Sequence, residues 1–293
     1  MTASNGTPFT TGDGRPIHAH GGGVLRVGDA YYWFGENRHD DHDGFRHISV
    51  YRSTDLGTWE FRNHVLSQSS HPELARANLE RPKVIHHAAT GRFVLWAHKE
   101  NGRDYHEARA AVAVCDTVDG DYTWLGSFRP LGHMSRDLTT FVDDDGTGYL
   151  VSAARDNYDL HIYRLTDDYT DIAELIANPW PGGHREAPAL FKRQGVYFML
   201  TSGATGWRPN QQRYATSTSP TDGWTPMRDV GDPTAHDSQT AFVLPGPHRY
   251  LYLADRWAGA HGGLVNDSAY VWLPITFPTP DTMSLNWTDH PPL

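Results

Sequence analysis

One cysteine, Cys115, in 293 residues excludes an intrachain disulfide, so the fold must hold through its own burial. Basic residues are scarce as well: 25 Lys and Arg face 35 Asp and Glu, a formal net charge of −10 with a pI near 5.9. No basic stripe is present to neutralise phosphates, which argues against a nucleic-acid partner or a membrane surface. The first residues, MTASNGTPFTTGDGRP, lack a basic segment followed by an apolar one, so the chain is expected to be cytoplasmic. No low-complexity linker interrupts it, and no 3.6-residue apolar period persists beyond a turn or two. Residues 1–293 are therefore read as a single domain with little helix.

What the chain does have is a repeat. Aromatic-rich apolar runs begin at Tyr31 (YYWF), Phe93 (FVLW), Tyr149 (YLVS), Tyr197 (YFML) and Tyr250 (YLYL), at steps of 62, 56, 48 and 53 residues. Each is entered through a turn signal: Gly28-Asp29, Thr90-Gly91, Asp145-Gly146-Thr147-Gly148, Gln194-Gly195 and Pro245-Gly246-Pro247. A further strand-like stretch follows each run, from ISVYRSTDLGTWEF in the first unit to SAYVWLPITF in the last. Units of this kind cannot bury their faces alone. Stacked radially they form an all-β, five-bladed β-propeller, which leaves only short protected edges. A long β-sandwich would give similar strands, but it does not require one polar residue type at one offset in every unit.

That offset carries the chemistry. Eleven to thirteen residues ahead of the last four runs stand Glu80, Asp137, Glu186 and Gln239; the first unit offers Ala19 and His20 from IHAHGGG instead. In a propeller these positions begin the innermost strands and face the central channel. Carboxyl groups converging there repel one another and raise at least one pKa, as hydrolysis of a glycosidic bond requires of its proton donor. Any one of these acids alone reads more readily as a solvated turn residue, but three in register weigh sharply against that. Arg81, Arg136 and Arg185 adjoin the three acids, so each either sets a guanidinium beside its acid or, because adjacent strand residues face opposite ways, braces a neighbouring blade instead. Glu36, closing YYWFGE, is expected to reach the channel only through the exit loop of its strand. Ten Trp suit the stacking of sugar rings.

Other motifs carry less. HGGG at His20 to Gly23 lacks the G-x-S-x-G elbow that an esterase would need, and more simply lets backbones approach closely. DDDGTG at Asp143 to Gly148 fits a hairpin turn better than a calcium loop. His18 with His20, His86 with His87, and the stretch from His39 to Asp43 resemble metal sites, but eighteen histidines make chance pairs common. No cofactor or metal is expected to be required; a structural cation in the channel is an open alternative.

Taken in order, IHAHGGG, YYWFGEN, ERPKV, SRD, DDDGTGYL, REAPALF, SQTAFVLP and SAYVWLPI resemble glycoside hydrolase family 43 across nearly the whole chain. HGGG together with SQTAFV is similar to that family's exo-β-1,3-galactanase branch, subfamily 24. The resemblance implies five blades and an inverting mechanism. It casts Glu186 as the general acid, Gln239 as the carboxamide that positions or activates water, and Asp137 as the group that tunes the acid. It further implies that Glu36 and Glu80 hold sugar hydroxyls and that Thr205, Gly206, Trp207 and Asn210 lie in a substrate-contacting loop, with His20 and Tyr105 also expected at the substrate. The catalytic Asp usual to the family would fall near Ala19 to Gly21, where no carboxylate stands, as in the galactanase branch. Implied is an exo-acting hydrolase releasing galactose from β-1,3-galactan, with an oligo- or polysaccharide as partner. An α-L-arabinofuranosidase, β-xylosidase or β-galactofuranosidase of the same family, or a non-catalytic glycan-binding propeller, are the alternatives.

Overall fold

The computed structural model describes residues 3–246 and 249–291. Five four-stranded antiparallel sheets account for it, each built from strands consecutive in sequence. Blade one is β1 (His20–Val27), β2 (Ala30–Arg38), β3 (Phe45–Ser53) and β4 (Glu60–Ser67). Blade two is β5 (Asn78–His87), β6 (Arg92–Glu100), β7 (Arg109–Cys115) and β8 (Thr123–Phe128). Blade three is β9 (Leu138–Val142), β10 (Gly148–Ala154), β11 (Asp159–Leu165) and β12 (Ile172–Ala177). Blade four is β13 (Arg185–Arg193), β14 (Val196–Gly203), β15 (Gln212–Ser217) and β16 (Arg228–Val230). Blade five is β17 (Gln239–Pro245), β18 (Tyr250–Arg256), β19 (Ala269–Thr279) and β20 (Thr282–Leu285). Among the described residues the only helices are short 3-10 turns, and none is long and apolar enough to cross a membrane.

Each aromatic run of the sequence forms the second strand of a blade. These strands read as continuous apolar stretches because both their faces are covered: β10 is buried at every position. The outermost strands β4, β8 and β12 are mostly half-buried or exposed. Packing between neighbouring blades creates five separate apolar cores, such as that of Phe34, Ile48, Leu79 and Leu95 between blades one and two. The inner strands β1, β5, β9, β13 and β17 adjoin one another in sequence order, and β17 returns to β1, closing the ring around the channel.

Closure depends on blades five and one, and the chain's beginning reinforces it. Asn5 accepts from Trp272 N at 2.6 Å and donates to Trp272 O at 2.8 Å, while Thr7 bridges Tyr270. Beneath this arm Phe9, Trp33, Tyr270 and Trp272 pack mostly edge to face. The turn expected at Pro245-Gly246-Pro247 is seen in part: Gly246 N bonds Arg249 O at 2.8 Å, while Pro247 lies outside the described residues. Asp143 to Gly148 is the hairpin turn between β9 and β10, and Lys192 pairs with Asp143 and Asp144.

Candidate active site

Four of the five inner strands carry a bulge just past their polar entry residue: after His20 in β1, Glu80 in β5, Glu186 in β13 and Thr240 in β17. In three of them the following residue is left-handed, Gly21 at φ 59°, Arg81 at 55° and Ala187 at 49°. A bulge re-aims side chains. Strand alternation is broken there, and adjacent residues can face the same cavity.

That cavity, of about 460 Å³, opens at one end of the channel and is walled by Glu36, Glu80, Arg81, Asp137, Glu186 and Gln239, with Tyr105, Asn157, Trp207 and Trp257 also lining it. Glu80, Asp137, Glu186 and Gln239 thus meet as their common offset predicts. Of the two orientations open to it, Arg81 takes the inward one: its guanidinium bonds Asp137 Oδ2 at 3.0 Å, Thr240 O at 2.7 Å and Gln239 Oε1. Arg136 also lines the cavity, donating to Tyr105 O and Asp156. Only Arg185 turns away, bracing Thr201 within its own blade.

Glu36 corrects an expectation, because it enters the cavity from within β2 (Ala30–Arg38) and not through an exit loop. Room for it comes from HGGG. A Cβ on Gly21 would lie 2.6 Å from Glu36 Oε1, and one on Gly22 only 1.7 Å from Phe34 O. The blade-one glycines therefore admit a carboxylate from the next strand. Glu36 accepts from Arg81 N at 3.0 Å and from Arg38, which also bonds Glu80 Oε1 at 2.8 Å.

Burial pushes the Glu36 carboxyl above its ordinary range, with the neighbouring Glu80 charge adding to it against Arg38. Burial would raise Glu80 too, but Arg38, His98 and Tyr105 hold it well below the usual carboxylate range. His98 lies between Glu80 and Glu100, which raise it to about 9 against its burial, so it is a cation at neutral pH. Glu186 is pushed up to about 8, first by burial and then by the Asp137 charge, with Arg81 pulling the other way. Its Oε1 accepts from Gln239 Nε2 at 3.0 Å and its Oε2 from Asn157 Nδ2 at 2.8 Å.

Three other expected residues stand away from the cavity surface. His20 is wholly buried behind it, 3.0 Å from Asp255 and stacked on Tyr270. Thr205 and Asn210 bond each other, and Asn210 clasps Gly203 on both its N–H and C=O, so the pair shapes the loop that carries Gly206 and Trp207. Trp207 is 36% exposed and rests edge-on against Trp257. Tyr105 donates to Glu80 Oε1 at 2.9 Å from the rim.

Arg38, His98, Asn157 and Trp257 were not singled out from the sequence. For His98 a signal existed: the residue five places into the aromatic run is polar in four blades, as Glu36, His98, Ser202 and Asp255, and each pairs across the strands with the entry residue His20, Glu80, Glu186 or Gln239. Among the described residues, two groups bring ligand atoms close enough for a metal: His39, Asp41 and His42 on the β2–β3 loop, and Glu80, His98 and Asp137 in the cavity. The second faces Arg38 and Arg81, whose charges oppose a cation, and His98 within it is itself protonated at neutral pH.

Comparison with known proteins agrees with this architecture. The profile of Glycosyl hydrolases family 43 matches residues 18–263. An exo-β-1,3-galactanase from Clostridium thermocellum superposes with a TM-score of 0.96 at 51% identity, covering 98% of this chain and 66% of that one. A Phanerochaete chrysosporium exo-β-1,3-galactanase crystallised with β-1,3-galactotriose gives 0.93 at 33%, covering 99% and 67%. A curated xylan 1,3-β-xylosidase from a Vibrio species is 25% identical over 197 residues, 61% of this chain and 35% of the relative. The chain thus spans about a third of that curated relative and two thirds of the Clostridium protein. With the five blades, the channel-end cavity and its converging carboxyls, these matches make the chain a member of glycosyl hydrolase family 43.

Proposed function

We propose that this chain is an exo-acting, inverting glycoside hydrolase that releases galactose from β-1,3-linked galactan. The observation that carries the reading is Glu186: a carboxyl at the wall of a sugar-sized cavity, held protonated near neutral pH by burial and by Asp137. Such a group can protonate the leaving glycosidic oxygen as water attacks the anomeric carbon from the opposite face. Asp137, shared with Arg81, sets the acid's proton affinity. Glu36 and Glu80, the latter with Tyr105, supply acceptors for sugar hydroxyls, and Trp207 and Gly206 border the mouth. The galactanase assignment draws on the two superposed relatives, whose names specify β-1,3-galactan.

A second reading, a glycan-binding propeller without turnover, is favoured by the absence of a carboxylate from Ala19 to Gly21. One screen separates the two: sugar release from β-1,3-galactan compared with aryl arabinofuranoside, xyloside and galactofuranoside. Galactose from the galactan supports the proposal. Release only from another substrate reassigns the sugar, and binding without release from any substrate leaves the lectin reading standing.

A further inference from the structure

Gln239 has no hydrogen-bonding capacity left over. Its Oε1 accepts from Trp257 Nε1 at 2.8 Å and from the Arg81 guanidinium; its Nε2 donates to Glu186 Oε1 at 3.0 Å and to Ser202 Oγ at 2.9 Å. An oxygen with two lone pairs and an NH2 with two hydrogens are both fully used. The orientation is also determined. An indole N–H and a guanidinium can only donate, so the atom between them must be the oxygen, and the nitrogen must face the acid.

This bears on whether the carboxamide can take a proton from water. To do so it would need its imidic tautomer, in which the nitrogen accepts and the oxygen carries a hydrogen. That O–H would point at Arg81 and Trp257, neither of which can accept it. Gln239 also touches Glu186 directly, closer than the roughly 6.5 to 9.5 Å that an inverting pair of carboxyls keeps open for water.

We propose that Gln239 works as a neutral amide: a positioning residue that holds the acid Glu186 by donation, with its orientation locked by Arg81 and Trp257. The lock is built into the fold. Arg81 reaches Gln239 because its left-handed bulge position in β5 turns it into the channel, and its guanidinium also bonds Thr240 O and lies 5.5 Å from the Trp257 ring. This inference rests on Glu186 being the acid, but its first test needs no substrate.

The chain holds five glutamines, so selective side-chain 15N labelling resolves Gln239 by comparison with Gln239→Ala. In the substrate-free protein Gln239 should give a pair of amide proton signals on one nitrogen; a single N–H would overturn the proposal. Trp257→Phe, which removes one donor together with part of the ring, should shift that pair and lower kcat on the order of tenfold with KM nearly unchanged. Unchanged signals and rate would also overturn it. Gln239→Glu is the discriminating variant: a true carboxylate at a base position would keep activity, whereas at this position it loses the donor and sets a second acid against Glu186. We expect kcat to fall at least on the order of a hundredfold. Retention of activity within a few-fold would show that Gln239 is the base after all. Failure of all sugar release would instead count against the proposed function and leave the NMR result intact.

Discussion

Two neighbours set opposite pulls on Glu186, and removing either should be visible in the pH dependence of the rate. The group is protonated below about 8, so activity should fall as pH rises through that value. Asp137 raises the acid and Arg81 lowers it. Asp137→Asn removes the raising charge and frees Arg81 from its partner, so the basic limb should move to lower pH; an unshifted limb would make Asp137 merely structural. Glu186→Gln should reduce turnover of an unactivated glycoside by several orders of magnitude and that of an activated aryl glycoside far less, because a good leaving group needs little protonation. Trp207 is half exposed and rests on Trp257 and Gly259, outside all five apolar cores. Trp207→Ala is accordingly expected to weaken oligosaccharide binding by about 1 to 3 kcal/mol in calorimetry with little change in Tm. A large fall in Tm instead would identify it as packing.

The elements place these residues through irregularities more than through regular strands. Gly22 permits β1 to pass so close to β2 that a methyl group would overlap the Phe34 carbonyl. Gly22→Ala should therefore cost at least about 1 to 3 kcal/mol in thermal or denaturant unfolding and displace Glu36, with activity lost even where the protein stays folded. Full stability and activity would show that the close approach is dispensable. The same irregularities mark where sequence reasoning succeeded and where it did not. The five second strands were legible because burial on both faces leaves an aromatic and β-branched run in each unit, and the entry residues Glu80, Asp137, Glu186 and Gln239 were legible because the repeat puts them in phase. The orientation of Arg81 was not legible, because a bulge is invisible to a period-two pattern. Glu36 was misplaced for a related reason: its access depends on what the glycines opposite it lack. His20, expected at the substrate, is drawn behind the cavity by Asp255, a partner 235 residues away in sequence. Asn157 follows two other left-handed residues, Arg155 and Asp156, in a turn whose shape no propensity announces.

As a whole the molecule is a ring whose channel end gathers one residue or more from every blade, so no blade alone contains the site. Blade one gives Glu36, blade two Glu80 and Arg81, and blade four Glu186; Asp137 stands just ahead of blade three's first strand, and Gln239 opens that of blade five. Convergence of that kind explains why a chain with no disulfide and no required helix can hold an acid, its tuning charge and a sugar-sized cavity in fixed relation. It also makes the central claim, inverting hydrolysis of a β-1,3-galactoside from this cavity, a single-experiment question. Proton NMR of β-1,3-galactotriose in the first minutes after adding the protein reads both the sugar released and its anomeric form. The account predicts free galactose appearing first as the α-anomer, followed by slow mutarotation toward equilibrium. Galactose appearing first as the β-anomer, or no galactose at all, would contradict it.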